Sequence, residues 1–184
     1  MIEVKNPGYR ITLKNINDAD LEKHDIVYTD QSVYKFSSCV NIQVSGNSLQ
    51  HNVCIAAGNG ATTLHKQSFI IEDNQLIVCC SNSIFCLELP SLSFLWRTTA
   101  DSFTCFGLYK QNDIYIVHGE LEISCLDKNG KILWQKGGND IFTTMEGNDN
   151  DFYITNTYIF ATDWNYNIYT FDFNGNVISF TPAP

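Results

Sequence analysis

Residues 125–134, Cys125-Leu126-Asp127-Lys128-Asn129-Gly130-Lys131-Ile132-Leu133-Trp134, decide the fold. "CLDKNGKILW" reads as the end of one strand, a turn at Asn129-Gly130 where both residue types tolerate positive φ, and the start of a second strand. The stretch is one copy of a recurring unit. Residues 75–96 read "QLIVCCSNSIFCLELPSLSFLW", residues 114–134 read "IYIVHGELEISCLDKNGKILW", and residues 159–180 read "IFATDWNYNIYTFDFNGNVISF". A shift of 39 places Ile84 on Ile123 and Cys86 on Cys125. A shift of 45 then places Ile123 on Ile168, Cys125 on Thr170 and Asp127 on Asp172. Trp96, Trp134 and Ser179-Phe180 close the units, and Pro90-Ser91 replaces the Asn-Gly turn in the first.

Each unit has an apolar run of period two, a polar turn, a second such run, another turn and a short strand. A further candidate strand precedes each: "SFIIED" from Ser68, "FTCFGLYK" from Phe103 and "IFTTME" from Ile141. Four antiparallel strands in about 40 residues match the blade of a β-propeller. The expected fold class is therefore all-β, a propeller-like array of four-stranded blades within one domain. The blades span residues 68–102, 103–140 and 141–184.

The segment Ile123–Gln135, "ISCLDKNGKILWQ", resembles the PQQ-type repeat of β-propellers, a relative of WD40-type blades. In that repeat a strand ends in Leu-Asp, passes a Gly turn, and resumes as Lys-hydrophobic-hydrophobic-Trp. Residues 85–96 match in part, without the Asp and Gly; residues 169–180 lack the Trp. The resemblance implies a fold and no particular activity. The family's quinone-binding motifs are absent from this chain, and no cofactor is expected.

Residues 1–67 lack the repeat. "NINDADLEKHD" predicts a short helix with Asn17 as N-cap and acidic residues in its first turn. "VYKFSSCVNIQVS" and "LQHNVCIAAG" read as strands around a Ser45-Gly46-Asn47 turn. They form either a divergent fourth blade or a cap on the sheet edge. Three or four blades are few for a closed ring, so an open edge calls for a cover, a homodimer mate or a partner strand.

The 184 residues, 44% hydrophobic and 13% aromatic, suit a folded domain. Eleven Lys and Arg against twenty Asp and Glu give a net charge of −9. That balance argues against nucleic acid as a ligand, and it suits a basic protein partner. The seven cysteines, Cys39, Cys54, Cys79, Cys80, Cys86, Cys105 and Cys125, form no C-x-x-C pair and mostly sit in apolar runs. They read as small hydrophobes in a reducing compartment. "MIEVKNPGYRI" contains no signal-peptide core and no run reaches membrane-span length, so the expectation is a cytoplasmic protein without membrane contact.

Under the two shifts Cys79, His118 and Asp163 fall at one position of successive units, the ingredients of a thiol nucleophile with base and orienting acid. Equivalent positions one blade apart stand too far apart for such contacts, so independent strand-end residues are the competing reading. "EGNDND", residues 146–151, is oxygen-rich but lacks the order of a calcium loop, and Gly58-Asn59-Gly60 lacks the residues of a phosphate loop. The four histidines have no metal spacing, there is no G-x-S-x-G elbow, and Glu120, Glu122 and Asp127 do not face one another as a glycosidase pair. "DWNYNIYTF" places Trp164 and Tyr166 together as candidate binding aromatics, which otherwise pack between blades.

The function read from these features is a non-enzymatic protein-binding module. The concrete form is an acidic immunity or inhibitor protein that occludes the active site of a basic toxin such as a nuclease. Its contacts would come from Asp101, Glu120, Glu122, Asp140, Glu146, Asp149, Asp151, Trp164 and Tyr166, with no metal. The alternatives are a small-ligand or enzymatic site at Cys79, His118 and Asp163, and a module that completes a propeller by homodimerisation.

Overall fold

The computed structural model describes residues 1–29, 35–46, 48–146 and 150–183. The strands are β1 (Ile2–Asn6), β2 (Tyr9–Ile16), β3 (Val27–Thr29), β4 (Ser38–Gly46), β5 (Leu49–Ala57), β6 (Phe69–Glu72), β7 (Gln75–Cys80), β8 (Ser83–Glu88) and β9 (Phe94–Thr99). They continue with β10 (Cys105–Gln111), β11 (Ile114–Gly119), β12 (Glu122–Asp127), β13 (Ile132–Gly137), β14 (Phe152–Ile154), β15 (Ile159–Thr162), β16 (Ile168–Phe171) and β17 (Val177–Thr181). β6–β9, β10–β13 and β14–β17 form three four-stranded sheets in chain order, every pair antiparallel. The architecture is a propeller-like array.

Between the third and fourth strand of each sheet the repeat holds to the register. Cys86 faces Trp96, Cys125 faces Trp134 and Thr170 faces Ser179; a one-residue bulge follows in each sheet, at Leu95, Leu133 and Ile178. The Asn-Gly turns have one design. Asp127 Oδ1 accepts the N–H of Asn129 at 2.8 Å and of Lys131 at 2.9 Å, and Asp172 Oδ1 accepts those of Asn174 at 2.9 Å and Asn176 at 2.8 Å. Only the glycine of each pair takes positive φ, +79° at Gly130 and +80° at Gly175. Each glycine also lies under the preceding sheet's tryptophan: a Cβ on Gly130 would stand 2.4 Å from Trp96, and one on Gly175 would stand 2.7 Å from Trp134. The Trp134 indole N–H then donates to the Phe173 carbonyl at 3.0 Å.

Successive sheets bury one face against the next. Leu76, Val78, Phe85 and Leu87 pack on the first sheet, while Ile77, Cys79, Ile84 and Cys86 pack on Leu108, Tyr115, Val117 and Leu126 of the third. Ile116, Ile123 and Cys125 then meet Phe152, Ile159, Ala161, Tyr169 and Phe171 of the fourth. Among the described residues no apolar cluster joins the fourth sheet to the first.

Residues 1–67 do build a sheet, in the order β1-β2-β4-β5-β3, with β3 added parallel to β5. β1 and β2 have no counterpart in the sequence reading; their hairpin turns at Pro7-Gly8, where Gly8 has φ +86°. The expected helix is a 3-10 helix, Asp18–Lys23, after Asn17, whose side chain makes no capping bond. Its Leu21 covers Cys39, Cys54 and Ala56 on the sheet's outer face together with Ile16, Val27 and Phe36. The sheet is thus both a blade and its own cap. Val33 and Tyr34 of the predicted strand and Asn47 of the predicted turn lie outside the described residues.

One strand assignment is corrected. "IFTTME" is not extended; β14 occupies Phe152–Ile154 instead, pairing with Ala161, Phe160 and Ile159. The backbone at Ile141-Phe142 is committed to loops: the Phe142 N–H donates to Glu120 and the Ile141 carbonyl accepts from Trp164. Phe142 anchors that loop with a fully buried ring.

Gly130→Ala combines a left-handed backbone with overlap against Trp96, and should cost about 2–4 kcal/mol. Gly8→Ala shares the positive φ but meets nothing within 4 Å. Urea denaturation of both variants checks this: the cost at Gly130 should exceed that at Gly8 by at least about 1 kcal/mol, the share due to tryptophan contact.

Candidate functional site

Strand direction gathers one set of connections at one end of the molecule: the β9–β10 connector, the β11–β12 turn, the long β13–β14 connector and the β15–β16 turn. Backbone hydrogen bonds stitch them in sequence. Glu120 N–H donates to Thr104 at 2.7 Å, Phe142 N–H to Glu120 at 2.7 Å, and Trp164 N–H to Ile141 at 2.8 Å. These loops expose Phe103 (49%), Leu121 (39%), Trp164 (39%) and Tyr166 (45%).

Asp101 is the fastener of this end. Oδ1 accepts the N–H of Phe103 at 2.6 Å and Thr104 at 2.9 Å; Oδ2 accepts those of Leu121 at 2.9 Å and Glu122 at 2.7 Å. Gly119 leaves room for it, since a Cβ there would lie 2.2 Å from Oδ2. Burial raises the Asp101 carboxyl against the pull of its N–H donors, and the nearby Glu122 carboxylate adds to the rise. The sequence reading assigned Asp101 to partner contact. It is buried and binds its own backbone, so that assignment is corrected.

Glu120, Glu122, Asp140, Glu146, Asp151, Trp164 and Tyr166 do share this end. Glu122 holds the Ser102 N–H at 2.7 Å and its hydroxyl at 2.8 Å. Asp140 accepts from the Asn165 amide at 2.7 Å, and Glu146 is exposed. Trp164 and Tyr166 stand in the β15–β16 turn rather than on a strand, with Tyr166 at φ +62°. Asp149 lies outside the described residues. Phe103 and Leu121 were missed because a single apolar residue in a connector carries no periodicity.

Cys79, His118 and Asp163 do not form a constellation. Cys79 pairs with Ile84 and His118 with Ile123, but the third equivalent pair is Thr162 with Ile168. The β15–β16 turn is one residue longer than its counterparts, which displaces Asp163 from the aligned position. Asp163 organises that turn: its carboxylate accepts from the N–H groups of Asn165 at 3.0 Å and Asn167 at 2.9 Å and from the Tyr169 hydroxyl at 2.9 Å. The Cys79 thiol is pushed up to about 12 by burial, far from a reactive thiolate. Among the described residues no group of three or more His, Cys, Asp or Glu can hold a metal ion.

A cleft of about 470 Å³ opens between the inner strands β10 and β14, lined by His118, Phe106, Tyr109, Asp151, Phe152 and Tyr153 among others. His118 lies parallel to Phe152 at 4.1 Å, meets Phe106 edge-on at 5.3 Å, and has Nε2 at 2.6 Å from the Phe142 carbonyl. Burial holds the imidazole down to about 4, even though its edge reaches the cleft.

No protein-family model and no curated protein matches the chain. Solved structures do share its fold. BamB from Moraxella catarrhalis, a β-propeller, aligns with a TM-score of 0.51 at 17% identity over 85% of this chain and 48% of its own. The computationally designed propeller Ika8 aligns at 0.53 and 10% identity over 78% and 46%, and Ika4 at 0.50 and 11% over 67% and 79%. This chain spans about half the length of BamB and Ika8. No helix among the described residues is long and apolar enough to cross a membrane.

Two outcomes follow from this geometry. Asp101→Ala leaves four N–H groups without their acceptor and should cost about 3–5 kcal/mol, read by denaturation. His118 gives a pH signature: the unfolded chain takes up a proton near 6.5, the folded one only near 4. Its contribution is complete above the higher value and falls as pH drops through that window, by at most about 3 kcal/mol. Asp151 and His65 face it, and Asp101 acts in the opposite sense, its folded carboxyl protonating before the unfolded one. His118→Phe should therefore flatten the stability loss between pH 6.5 and 4 relative to the parent.

Proposed function

We propose that this protein is a non-enzymatic binding module whose loop-bearing end engages a basic protein partner. One observation carries the reading: Phe103, Leu121, Trp164 and Tyr166 are exposed at the end that also holds Glu120, Glu122, Asp140 and Glu146. Exposed aromatic anchors ringed by charge are the composition of a protein interface, with the rings supplying affinity and the carboxylates steering and selecting a cationic partner. The chain's charge of −9 extends that attraction beyond contact distance.

The blades resemble PQQ-type repeats, which build a rigid carrier and no particular chemistry. The concrete form of the proposal is inhibition by occlusion: the end covers the active site of a basic toxin such as a nuclease, as an immunity protein does. Trp164 and Leu121 enter the partner's surface while Glu120 and Glu146 pair with its Lys and Arg.

The test is capture of partners from the native cell at low salt, identification by mass spectrometry, and a binding isotherm at rising ionic strength. A basic protein whose affinity falls at least about tenfold between low and high salt is expected. Trp164→Ala should weaken it by about 2 kcal/mol or more, and Glu120→Lys should mainly slow association. A tight complex indifferent to salt and to both substitutions would overturn the reading.

A further inference from the structure

We propose that the cleft between β10 and β14 is a seat for a guanidinium or alkylammonium group. This rests on the reading of a basic partner, and it names the group that would be gripped and where. The histidine at the cleft is not required by the fold. The two register-equivalent positions hold Cys79 and Thr162, so sheet packing is satisfied by small residues there. In place of these His118 is fixed on both sides, stacked on Phe152 and edge-on to Phe106. The Phe142 carbonyl can only accept, so Nε2 carries the ring proton. Nδ1 is then an acceptor, and among the described residues it has no hydrogen-bond partner.

The backbone is also distorted toward this place. β10 has a bulge between Cys105 and Gly107, whereas the ladders of the inner strands β6 and β14 are unbroken. Segment 65–67 holds the bulge: His65 Nε2 donates to the Phe106 carbonyl at 2.8 Å, and the Leu108 N–H donates to Gln67 at 2.7 Å. Bulges re-aim side chains near functional sites, and this one carries Phe106 to the His118 ring. The lining adds the Asp151 carboxylate, held by the Thr144 hydroxyl at 2.5 Å, and the rings of Tyr109, Phe152 and Tyr153. Aromatic faces, a carboxylate and a neutral ring nitrogen together recognise a cation that donates hydrogen bonds. Lys66, the lysine of the lining, is exposed to solvent, where its charge is screened. A cleft of about 470 Å³ is large enough for an extended basic side chain.

Two sources share this chemistry, an Arg or Lys side chain of a protein and a free polyamine. The test follows the His118 ring signals by NMR during titration with acetyl-Gly-Arg-Gly-amide, its norleucine counterpart, and spermidine. The arginine peptide should shift the His118 signals with a dissociation constant on the order of 1 mM, and the norleucine peptide should leave them unchanged. Asp151→Asn keeps an acceptor for Thr144 and should weaken binding about tenfold, the loss of one charge-assisted contact. Tighter binding of the peptide than of spermidine assigns the site to a protein side chain; the reverse order assigns it to a polyamine, with the cation chemistry upheld either way. Equal shifts from arginine and norleucine, or none from either cation, would overturn the proposal. His118→Phe gives a second check through peptide fluorescence anisotropy, and a cooperative melt confirms that each variant is folded. Capture of a basic partner together with an inert cleft refutes this inference alone. An arginine-responsive cleft without a captured basic partner refutes the partner reading alone.

Discussion

Leu76 to Cys80 of β7 are buried at every position, and so are Ser83 to Leu87 of β8. Alternating side chains point to opposite faces of a sheet, so uninterrupted burial means that both faces are covered. A sheet of that kind has no stable existence alone, and it must lie between two others. The molecule is the repeated solution of this requirement, in which each interior sheet is sealed by the one before and the one after. The seal has a specific key in the third and fourth sheets, where a turn glycine comes directly under the preceding tryptophan. A glycine chosen for its φ is thereby also chosen for its missing side chain, and one residue sets both the turn and the docking distance.

The same requirement explains the two ends of the stack. On the first sheet, Cys39, Cys54 and Ala56 are covered by the 3-10 helix through Leu21, so its outer face is not available to a further blade. On the fourth, the positions that elsewhere hold Cys79 or His118, Cys86 or Cys125, and Trp96 or Trp134 hold Thr162, Thr170 and Ser179. Hydroxyls there tolerate water, whereas Tyr153 and Phe160, stacked at 4.5 Å, keep an aromatic strip on the same face.

The repeat was legible because burial imposes periodicity: "LIVCC", "IYIV" and "DKNGK" each carry a pattern that only strands and an Asn-Gly turn satisfy. β1 and β2 were not, although Glu3, Lys5, Arg10 and Lys14 alternate with Ile2, Val4, Ile11 and Leu13 as a half-buried hairpin requires, because that pattern matches no unit of the repeat. β14 failed for a different reason. Three residues suffice when the long connector before it is anchored by Phe142, and an isolated anchor resembles a strand in sequence. The equivalence of Asp163 with His118 failed on a one-residue change of turn length, because register is counted across turns and not along strands. For the loop-bearing end the acidic residues were legible as charge. Which of them face outward depends on tertiary hydrogen bonds: Asp101 and Glu120 look alike in sequence, yet one closes four backbone donors and the other does not.

This division of labour locates function away from the repeat itself. Within the strands every cysteine is buried, and the thiol of Cys79 is held far above neutrality, so the β scaffold carries no available nucleophile of that type. The connections at this end differ from unit to unit in their residues and in length: a Ser81-Asn82 turn, then Glu120-Leu121, then the stretch from Asp163 to Asn167, where the strand pairing leaves one residue more than in the other two. Their differing lengths do not disturb the sheets because each is tied to a neighbouring connection by a backbone hydrogen bond. The constraint that makes the sheets interchangeable thus frees the loops to differ. A surface with Leu121, Trp164 and Tyr166 displayed on rigid supports loses little conformational freedom on contact, which is the condition under which a few exposed side chains bind tightly.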